Sequence, residues 1–452
     1  MQSELPSNLV NKIPVTIINI FSVFQKAGFE IYLIGAGTRN LLLGKKIVDP
    51  DFTTNATPEE IQKLFPDSFY DNQFGTVGIK IGDEVFEITT YRTEQGYSDR
   101  RHPDKVSWGK TLEEDLSRRE LTISSVAVGP NKNNQLEIVD LYGGMEDLLK
   151  NHLVKTVDNP SKRFSEDALR MMRAIRIATQ LSFTIEPKTF QAIQENAGLI
   201  NQIAAERIKI ELFKILKSDY PADGFTLLLS SELLEQILPE LMEGYGMAQA
   251  KHHIYDVWTH SLMALKFCPS SDPLVRFATL LHDVGKPAVA KGEGEARTFY
   301  NHEVVGTAIA SRIADRLRFS KDEKNRLLTL IRWHQFTVDE HQTDSAIRRF
   351  ITNVGKQNLQ DMLDLRVGDR LGGGARETSW RLEEFKKRLV EVQKQPFSIN
   401  DLKINGNDVM KTLGIKPGPK VGEILNKLFE EVVEDKKRNT RKYLMERIKE
   451  LG

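Results

Sequence analysis

The pattern of apolar and polar residues divides the chain into a mixed α/β region followed by a long helical region. Apolar residues with helical spacing between about residues 8 and 28 predict an amphipathic helix. The apolar run at residues 31–34 is typical of a short buried strand, and it leads into the turn Gly35-Ala36-Gly37 and a helix that ends at Gly44. Further apolar runs predict strands at residues 75–81, 85–90, 121–128 and 136–139.

From Ser165 onward the helical period dominates, as in Leu169, Met172 and Ile175. The length of 452 residues suggests three or four domains. We therefore expect an α+β chain. Its predicted parts are a mixed α/β head at residues 1–150, an all-helical segment at 151–245, a second helical domain at 246–375 and a helical tail at 390–452, with a turn-rich joint at 406–422.

The composition describes a globular protein, with 40% hydrophobic and 28% charged residues. Lys plus Arg (63) equals Asp plus Glu (63), so any surface for nucleic acid must come from local clustering of charge. Basic residues do cluster near the C-terminus at residues 436–449, although the glutamates between them also suit an ordinary solvated helix.

Cysteine content and hydropathy favour a cytoplasmic protein without a membrane span. The one cysteine, Cys268, excludes disulfides within the chain and thiolate-rich zinc sites, and it fits a reducing compartment. The apolar stretch at residues 15–24 is short and contains Asn19, so it predicts a helix of a globular domain. No secretory signal is evident.

Two carboxylates, Asp49 and Asp51, follow the glycine turn and its helix. Alternate residues of a strand point to the same face, so both carboxylates are expected to converge on one spot. Phosphoryl transfer with two metal ions needs such a pair to hold the cations. The backbone N–H groups of the glycine turn could meanwhile hold a triphosphate.

Glu87 is a candidate third carboxylate on a neighbouring strand. An ordinary charge at a strand edge is an equally good interpretation of this residue. An isolated Asp-x-Asp is most often a solvated turn, and the preceding glycine turn and Arg39 are what favour function here.

A second set of candidate ligands lies in the helical half, where the doublet His282-Asp283 stands between His260 upstream and Asp369 downstream. Imidazole and carboxylate groups are the ligands that a hard or borderline divalent metal prefers. Such a metal would lower the pKa of a bound water and polarise a phosphoryl oxygen. Any one of these histidines alone suits the surface or the core, whereas the ordered set predicts a metal site.

Several segments of the N-terminal half resemble one known family. They are LIGAGTRNLLLG at residues 33–44 with Asp49-x-Asp51, LEEDLSRRELTI at 112–123, DLYGG at 140–144 with 147–148, and RFSEDALRMMRAIR at 163–176 with 206–207. In this order, over about residues 30–215, they are similar to bacterial tRNA nucleotidyltransferases. This family adds CCA to tRNA 3′ ends and includes bacterial poly(A) polymerases. The resemblance implies a polymerase-β-like head, with tRNA, CTP and ATP as partners.

Residue roles also follow from this resemblance. It implies that Asp49 and Asp51 bind Mg²⁺, and that Arg39 and Arg119 contact the triphosphate. A further set is implied to select the nucleotide, with a carboxylate and a guanidinium that hydrogen-bond the Watson–Crick edge of ATP or CTP: Asp167, Arg170, Arg173 and Arg176. Asp167 and Arg170 are three residues apart, so on one helix they would be neighbours. An ordinary Glu166–Arg170 pair on that helix is the alternative.

The sequence departs from the family pattern at several positions. Ala36 replaces the second of two adjacent glycines, Asn40 stands where Asp is usual, Glu120 replaces an Asp, and Ser124-Ser125 replace Asn-Ala. If Ala36 took a positive φ, the strain would cost on the order of 1 kcal/mol. Glu120 has a longer reach than Asp and could disturb how Arg119 is held.

The second ligand set, with the run HDVGK at residues 282–286, resembles the metal-dependent phosphohydrolase superfamily named for its His-Asp doublet. The resemblance implies hydrolysis of phosphate esters with a divalent transition metal such as Mn²⁺ or Ni²⁺. His302 and His334 stand where related domains place extra histidines, which bind a second metal or the substrate phosphate, or else have surface roles.

The sequence leaves three functions open. The preferred one is CCA addition by two-metal phosphoryl transfer, with an accessory phosphohydrolase domain. A poly(A) polymerase, or an enzyme that adds only CC or only A, is the first alternative. A phosphohydrolase whose transferase half has become an RNA-binding module is the second, motivated by Ala36, Asn40 and Ser124 and opposed by the intact Asp49, Asp51, Asp167 and Arg170.

Overall fold

The computed structural model describes residues 2–70, 75–95, 105–249, 254–336, 342–393 and 399–452. The chain divides into two compact units. Unit 1 comprises residues 1–242 with 316–318, and unit 2 comprises residues 243–315 with 319–452. No helix within the described ranges is long and apolar enough to cross a membrane.

Unit 1 combines one large sheet with helices. Its strands are β1 Gln2–Glu4, β2 Ile31–Ile34, β3 Asp51–Thr54, β4 Ser68–Tyr70, β5 Thr76–Ile81, β6 Glu84–Thr90, β7 Arg92–Gln95, β8 Lys105–Trp108, β9 Val126–Pro130, β10 Leu136–Asp140, β11 Leu153–Val154 and β12 Thr184–Ile185. Its helices are α1 Ser7–Val10, α2 Val15–Lys26, α3 Gly35–Leu42, α4 Pro58–Leu64, α5 Leu112–Ser117, α6 Gly144–Glu146, α7 Pro160–Glu166, α8 Leu169–Leu181, α9 Pro187–Asn196, α10 Ala205–Leu216, α11 Pro221–Ser230, α12 Leu233–Ile237 and α13 Pro239–Met242.

The large sheet has the strand order β1-β10-β9-β2-β3-β6-β5-β4. Its central pair β3 and β6 is parallel, whereas the other neighbours are antiparallel. Leu33, Phe52 and Ile88 on the three central strands are fully buried. The ring of Phe21 on α2 packs edge-on against Phe52 with 6.0 Å between centroids. The apolar face of α2 therefore covers the sheet and fixes the strands that carry the site.

Unit 2 is built of helices. They are α14 Val257–Phe267, α15 Pro273–Leu281, α16 Lys286–Val289, α17 His302–Arg316, α18 Lys321–Trp333, α19 Asp344–Val354, α20 Leu359–Gly372, α21 Trp380–Gln393, α22 Gly406–Leu413, α23 Pro419–Glu434 and α24 Arg441–Leu451. The last three helices share an apolar core that includes Val409, Leu428 and Leu444. The predicted fold class, a mixed α/β head followed by a mostly helical body, is confirmed.

Several predicted boundaries were wrong. The helix predicted for residues 8–28 is broken before Val15 by Pro14, which has no N–H to donate within a helix. In the predicted strand at 121–128, Thr122–Ser124 form a 3₁₀ turn instead, and β9 begins at Val126. The joint at 406–422 is shorter than predicted because the Asn405 side chain caps α22.

Candidate active site and metal centre

The candidate transferase site lies where β3 and β6 run side by side in unit 1. Asp51 is the first residue of β3, and the parallel register places it opposite Glu87 on β6. Both residues are exposed to solvent, whereas the next residue on each strand, Phe52 or Ile88, is fully buried. The structure thus places Glu87 on the strand next to Asp51, as the sequence suggested.

Asp49 reaches this region in a different way from that predicted. It is not part of the strand, because β3 begins at Asp51 and Pro50 before it has no N–H for the sheet. Asp49 adopts a left-handed backbone with φ 55°. Asp49 and Asp51 are therefore not alternate residues of one strand, as had been predicted, although Asp49 still lies close enough to raise the pKa of Asp51.

Gly35, the first residue of α3, makes the bend between β2 and the helix, and the bend requires no strain at Ala36. Gly35 has φ +64°, a conformation that glycine adopts without a Cβ penalty. A Cβ on Gly35 would lie 3.3 Å from Oδ2 of Asp51. Ala36 is not among the described residues with positive φ, so the strain considered for this departure does not arise.

Neighbouring charged residues shift the pKa of the Asp51 carboxyl in opposite directions. Partial enclosure by the protein raises the pKa of its carboxyl, although one side stays open to solvent. Glu87 and Asp49 raise this pKa further, whereas Arg119 and Arg39 lower it. A divalent cation between these carboxylates would relieve their mutual repulsion. The donor set therefore fits a hard cation.

Two of the predicted phosphate-binding arginines are held by neighbouring polar groups. Arg39 on α3 donates from Nη1 to Oγ of Ser124 at 2.9 Å. Arg119 donates from Nη2 to Oδ2 of Asp115 at 3.0 Å, and the Asp115 side chain is fully buried. The serine that departs from the family pattern thus supplies the acceptor that positions Arg39.

Glu120, which replaces the Asp of the family pattern, contacts Arg173, whereas Arg119 pairs with Asp115. Its Oε1 accepts from Nη2 of Arg173 on α8 at 2.6 Å. Burial opposes the charged form of Glu120, but Arg173 and Arg170 hold its pKa well below the usual range. The expectation that the longer side chain disturbs Arg119 was wrong, because Glu120 accepts a hydrogen bond from Arg173 on α8 instead.

The predicted base-reading pair does not share a helix. α7 ends at Glu166, Asp167 has an extended backbone, and α8 begins at Leu169. Asp167 accepts from the Leu169 N–H at 3.1 Å and from Nη2 of Arg207 at 2.7 Å. Arg170 donates to Glu166 at 2.5 Å. Asp167 and Arg170 are therefore not neighbours on one helix face, as had been predicted, because the break at Asp167 turns its carboxylate toward Arg207 on α10.

Arg207 and Glu211 on α10 are partners that the sequence did not indicate. Arg207 holds Asp167, and Glu211 accepts from Nε of Arg176 at 2.6 Å. Both lie more than 30 residues from these partners along the chain. The Glu206-Arg207 motif was recognised in the sequence, but it did not indicate which residues Arg207 or Glu211 would contact.

The predicted metal ligands of unit 2 converge around Asp283. Nε2 of His260 lies 3.2 Å from Nε2 of His282 and 3.2 Å from Oδ1 of Asp369. Oδ2 of Asp283 lies 3.1 Å from Nε2 of His282. The structure therefore brings together all four residues predicted for this site.

Two further histidines complete the cluster on the other side of Asp283. Nε2 of His302 lies 3.3 Å from Oδ1 of Asp283 and 3.2 Å from Nε2 of His334. In the described part of the chain, two groups with metal-binding geometry share Asp283, one with His260 and His282 and the other with His302 and His334. All five side chains are buried, so the surface roles considered for His302 and His334 are wrong.

Hydrogen bonds to the backbone orient three of these rings. Nδ1 of His282, His302 and His334 lies 2.7, 2.8 and 2.7 Å from the carbonyl oxygens of Thr279, Phe299 and Ile331. Such a bond fixes the proton on Nδ1 and leaves Nε2 as the lone-pair donor. This arrangement is the one that metal-binding histidines require.

The charge state of the cluster also fits a cation. Burial lowers the pKa of His282, but the Asp283 and Asp369 carboxylates outweigh it and raise this pKa to about 10. Burial and the neighbouring His282 lower the pKa of His334 to about 3. Two carboxylates thus need a positive charge between them, which a divalent metal supplies better than one proton.

Close helix packing builds this centre. A Cβ on Gly368 or Gly372 of α20 would lie 2.6 or 2.5 Å from backbone atoms of Ala264, so α14 and α20 approach closely and bring His260 beside Asp369. Lys286, which follows the His282-Asp283 doublet in the sequence, is buried, and its Nζ lies 2.6 Å from Oδ2 of Asp283. The contact of Lys286 with Asp283 was not predicted from the sequence, although Lys286 belongs to the HDVGK run.

Comparisons with known proteins agree over most of the chain. Residues 31–154 match the poly A polymerase head domain family, residues 182–244 the family described as the probable RNA and SrmB-binding site of polymerase A, and residues 304–448 the tRNA nucleotidyltransferase domain 2 family. A CCA-adding enzyme of Ligilactobacillus salivarius (strain UCC118) is 32% identical over 434 residues, which is 96% of this chain and 95% of that protein. The chain belongs to the CCA-adding enzyme family.

Other members of the family support this assignment. A CCA-adding enzyme of Lactobacillus helveticus (strain DPC 4571) is 41% identical over 273 residues, or 58% of this chain and 67% of that protein. Among solved structures, the Bacillus stearothermophilus CCA-adding enzyme in complex with CTP has a TM-score of 0.72 at 24% identity, and covers 99% of this chain and 98% of its own. The Thermotoga maritima CCA-adding enzyme complexed with tRNA has a TM-score of 0.63 at 19% identity, with 100% of both chains covered. These two likenesses concern the fold.

Proposed function

We propose that this chain extends tRNA 3′ ends with CCA from CTP and ATP, and that the cluster around Asp51 is the transferase site. As a member of the CCA-adding enzyme family it is a nucleotidyltransferase that uses divalent metal. The observation that supports the location is the close approach of Gly35 to Asp51, with Glu87 opposite on β6. In this proposal residues 1–150 are the catalytic head, 151–245 select the nucleotide and hold RNA, and 390–452 bind tRNA.

Asp51, Asp49 and Glu87 are the residues proposed to hold Mg²⁺. When bound, the cations lower the pKa of the 3′-hydroxyl and offset the charge that develops on the phosphates. The tRNA 3′-hydroxyl gives its proton to solvent as its oxygen forms a bond to the α-phosphorus, and the bond from that phosphorus to the bridging oxygen breaks, so that pyrophosphate leaves. The start of α3 at Gly35 presents backbone N–H groups beside Asp51, where phosphate oxygens can accept from them.

The arginines are proposed to position the triphosphate. Arg39 is fixed by Ser124, Arg119 by Asp115 and Arg173 by Glu120. A guanidinium held by one acceptor keeps further N–H groups for phosphate oxygens in a preset direction. Less side-chain entropy is then lost when the nucleotide binds.

Asp167 and Arg170 are proposed to read the base. Arg207 and the Leu169 N–H fix the Asp167 carboxylate, and Glu166 fixes the Arg170 guanidinium. A rigid acceptor and a rigid donor discriminate bases well, because the wrong base leaves these groups without a partner. Arg176 is held by Glu211 and is proposed to contact the nucleotide from the next turn of α8.

An extension assay tests this proposal. Purified protein, Mg²⁺ and tRNA transcripts that end at the discriminator base, at C or at CC are given CTP and ATP separately and together, and products are resolved at single-nucleotide length. Growth by CCA followed by a stop is expected. Addition of CC alone, of A alone or of a long A ladder would instead identify a specialised enzyme or a poly(A) polymerase.

Variants assign the activity to the site. Asp51→Asn should abolish extension, because the carboxylate charge that holds the cation is gone. Asp83→Asn, in the exposed turn between β5 and β6, is the matched control and should keep full activity. Extension by Asp51→Asn at the wild-type rate would contradict the assignment.

We also propose that the cluster around Asp283 is a phosphohydrolase centre that binds a divalent transition metal such as Mn²⁺ or Ni²⁺, in the predicted domain at residues 246–375. Its support is the set of Nε2 atoms that face Asp283, with Nδ1 of three rings hydrogen-bonded to the backbone. The bound metal would activate water and polarise a phosphate ester. Lys286 is suited to hold Asp283 in place.

Metal content and thermal stability test this centre. Wild-type protein should gain Mn²⁺ after dialysis and melt at a higher temperature, since a ligand that binds only the folded state stabilises it. His282→Ala should lose both effects, whereas His152→Ala, an exposed histidine of unit 1, should keep them. Equal metal content in wild type and His282→Ala would contradict the proposal. A cytoplasmic location is also proposed, since the substrate is tRNA and Cys268 is a free thiol.

A further inference from the structure

Arg163 on α7 is a buried arginine of unit 1 to which neither the sequence nor the proposed function assigns a role. It is only 8% exposed. Each nitrogen of its guanidinium donates to a different segment of the chain: Nε to the carbonyl of Val157 at 3.1 Å, Nη1 to Oε2 of Glu166 at 3.2 Å, and Nη2 to the carbonyl of Ser117 at 2.5 Å. Because the guanidinium is a rigid planar fork, these three bonds fix its position and orientation.

On one side, Arg163 holds Arg170, which is proposed to read the base. The carboxylate oxygen of Glu166 that Arg163 binds, Oε2, also accepts from Nη1 of Arg170 at 2.5 Å. The backbone carbonyl of Arg163 accepts from the same Nη1 at 3.3 Å. The side chain and the backbone of Arg163 therefore both set the direction in which the Arg170 guanidinium points.

On the other side, Arg163 holds the segment that carries Arg119, which is proposed to contact the triphosphate. Ser117 is the last residue of α5 and stands two positions before Arg119. Val157, whose carbonyl accepts from Arg163, donates its own N–H to the carbonyl of Glu120 at 3.2 Å. Arg163 therefore fixes the backbone before Arg119 directly and the backbone after it through Val157.

The spacing between the base-reading and triphosphate-binding groups is thus set by one side chain. Arg163 and Ser117 are 46 residues apart in the sequence, so the chain itself does not hold these segments together. A nucleotide that is bound by its base reacts only if its α-phosphorus also lies in line with the 3′-hydroxyl. A displacement of about 1 Å in such a site can cost on the order of 10²-fold in rate. The bonds of Arg163 are placed to prevent a displacement of this kind.

We infer that Arg163 is a positioning residue that couples base reading to the alignment of the triphosphate. It acts through Arg170 and Arg119 rather than by contact with the nucleotide. The inference deepens the proposed function and rests on the roles proposed there for these two arginines. Its consequence is that the matched base raises kcat as well as affinity, because only a nucleotide held by Arg170 has its triphosphate aligned at Arg119.

Arg163→Lys tests the inference, because lysine keeps the charge but carries all its N–H donors on one atom and cannot reach three acceptors in different directions. A tRNA that ends in CC is extended with ATP, the matched nucleotide, or with CTP, and kcat and KM are obtained for each. We expect kcat for ATP to fall about tenfold with little change in KM, and the slow incorporation of CTP to change by less than about twofold. The ratio of kcat/KM for ATP to that for CTP then falls about tenfold.

Control variants separate positioning from a general loss of structure. Lys162→Ala, at an exposed position of the same helix, should behave as wild type does. Ile193→Ala empties a fully buried apolar position of α9 and destabilises unit 1 without removing any of these hydrogen bonds. It should leave the ratio unchanged, because a smaller folded fraction lowers kcat for both nucleotides by the same factor. Urea unfolding of each variant measures its stability.

Glu166→Gln provides the same test should Arg163→Lys fail to fold. It keeps Arg163 but removes the carboxylate charge that joins Arg163 to Arg170, and it should lower the ratio about tenfold through kcat for ATP. Where both variants fold, the double variant should lower the ratio no further than the larger single effect, because both changes act through Arg170.

Arg170→Ala distinguishes failure of this inference from failure of the function on which it rests. Loss of the ratio in Arg170→Ala but not in Arg163→Lys would overturn the inference and leave base reading by Arg170 intact. A ratio that survives in Arg170→Ala would overturn the proposed base reading and the inference with it. An equal fall of kcat for ATP and CTP in Arg163→Lys, or additive effects in the double variant, would show that Arg163 has only a structural role.

Discussion

Gly35→Ala is the substitution for which the structure gives the sharpest expectation. Gly35 has φ +64°, and an alanine in this left-handed region is destabilised by about 1 kcal/mol. Gly28, after α2, has φ +81° and open space around its Cα. Gly28→Ala should therefore cost a similar amount, and the two variants should show similar losses in the free energy of unfolding.

Catalysis should separate the two variants. A Cβ on Gly35 would lie 3.3 Å from Oδ2 of Asp51, which is closer than ordinary contact, whereas one on Gly28 meets no atom within 4 Å. Asp51 would have to move by a few tenths of an ångström, or the start of α3 would have to shift. A displacement of about 1 Å in such a site can cost on the order of 10²-fold, so a loss of kcat of about tenfold or more is expected for Gly35→Ala alone.

The assay is single-nucleotide extension of a tRNA that ends in CC, with ATP varied to obtain kcat and KM, beside urea unfolding of each variant. The expected result is equal destabilisation with a lower kcat for Gly35→Ala only. Equal kcat values for the two variants would refute the expectation that a Cβ on Gly35 displaces Asp51 from its catalytic position. Gly35 would then be needed only for its backbone conformation.

Three further predictions concern single contacts. The pKa of Glu120 is held below its ordinary value of 4.5, so its ion pair stabilises the protein above that pH, and this stabilisation is lost as the pH falls below it. Glu120→Gln should therefore flatten the decline in melting temperature below about pH 4.5, and an unchanged slope would contradict this. Arg207→Ala removes the partner of Asp167 at 2.7 Å and should weaken discrimination between ATP and CTP by about tenfold, measured as the ratio of kcat/KM values, whereas Lys209→Ala should not. His302→Ala should lower the Mn²⁺ content of the protein without changing tRNA extension; normal content would show that His302 is not a ligand.

Local patterns were enough to predict the outline of unit 1. The apolar runs at 31–34, 75–81 and 136–139 became β2, β5 and β10 because a buried strand needs consecutive apolar residues. Helix and strand ends were less well predicted. Pro14 is a local helix breaker that the apolar period alone does not take into account, whereas the 3₁₀ turn at Thr122–Ser124 is held by hydrogen bonds of Thr122 to Asp147 and Lys155, which are distant in sequence. The α+β class was therefore predictable, whereas the boundaries were not.

For the candidate sites, the identity of the residues was predictable from the sequence, whereas their contacts were not. The candidate ligands His260, His282, Asp283 and Asp369 could be named from the sequence because their chemistry is carried by the residues themselves. Their meeting depends on the close approach of α14 and α20, which the glycines at 368 and 372 permit. The expectation for Asp167 and Arg170 failed because it assumed one continuous helix.

The sequence by itself determined which chemical groups this protein carries, their order along the chain and the family to which it is similar. Tertiary structure alone decided their partners: Arg39 with Ser124, Glu120 with Arg173, and Asp167 with Arg207. It also decided that Arg366 pairs with Asp369. The physical reason is that side-chain identity is local, whereas an ion pair or a metal site depends on the distance between segments that are far apart in sequence and are brought together only by packing.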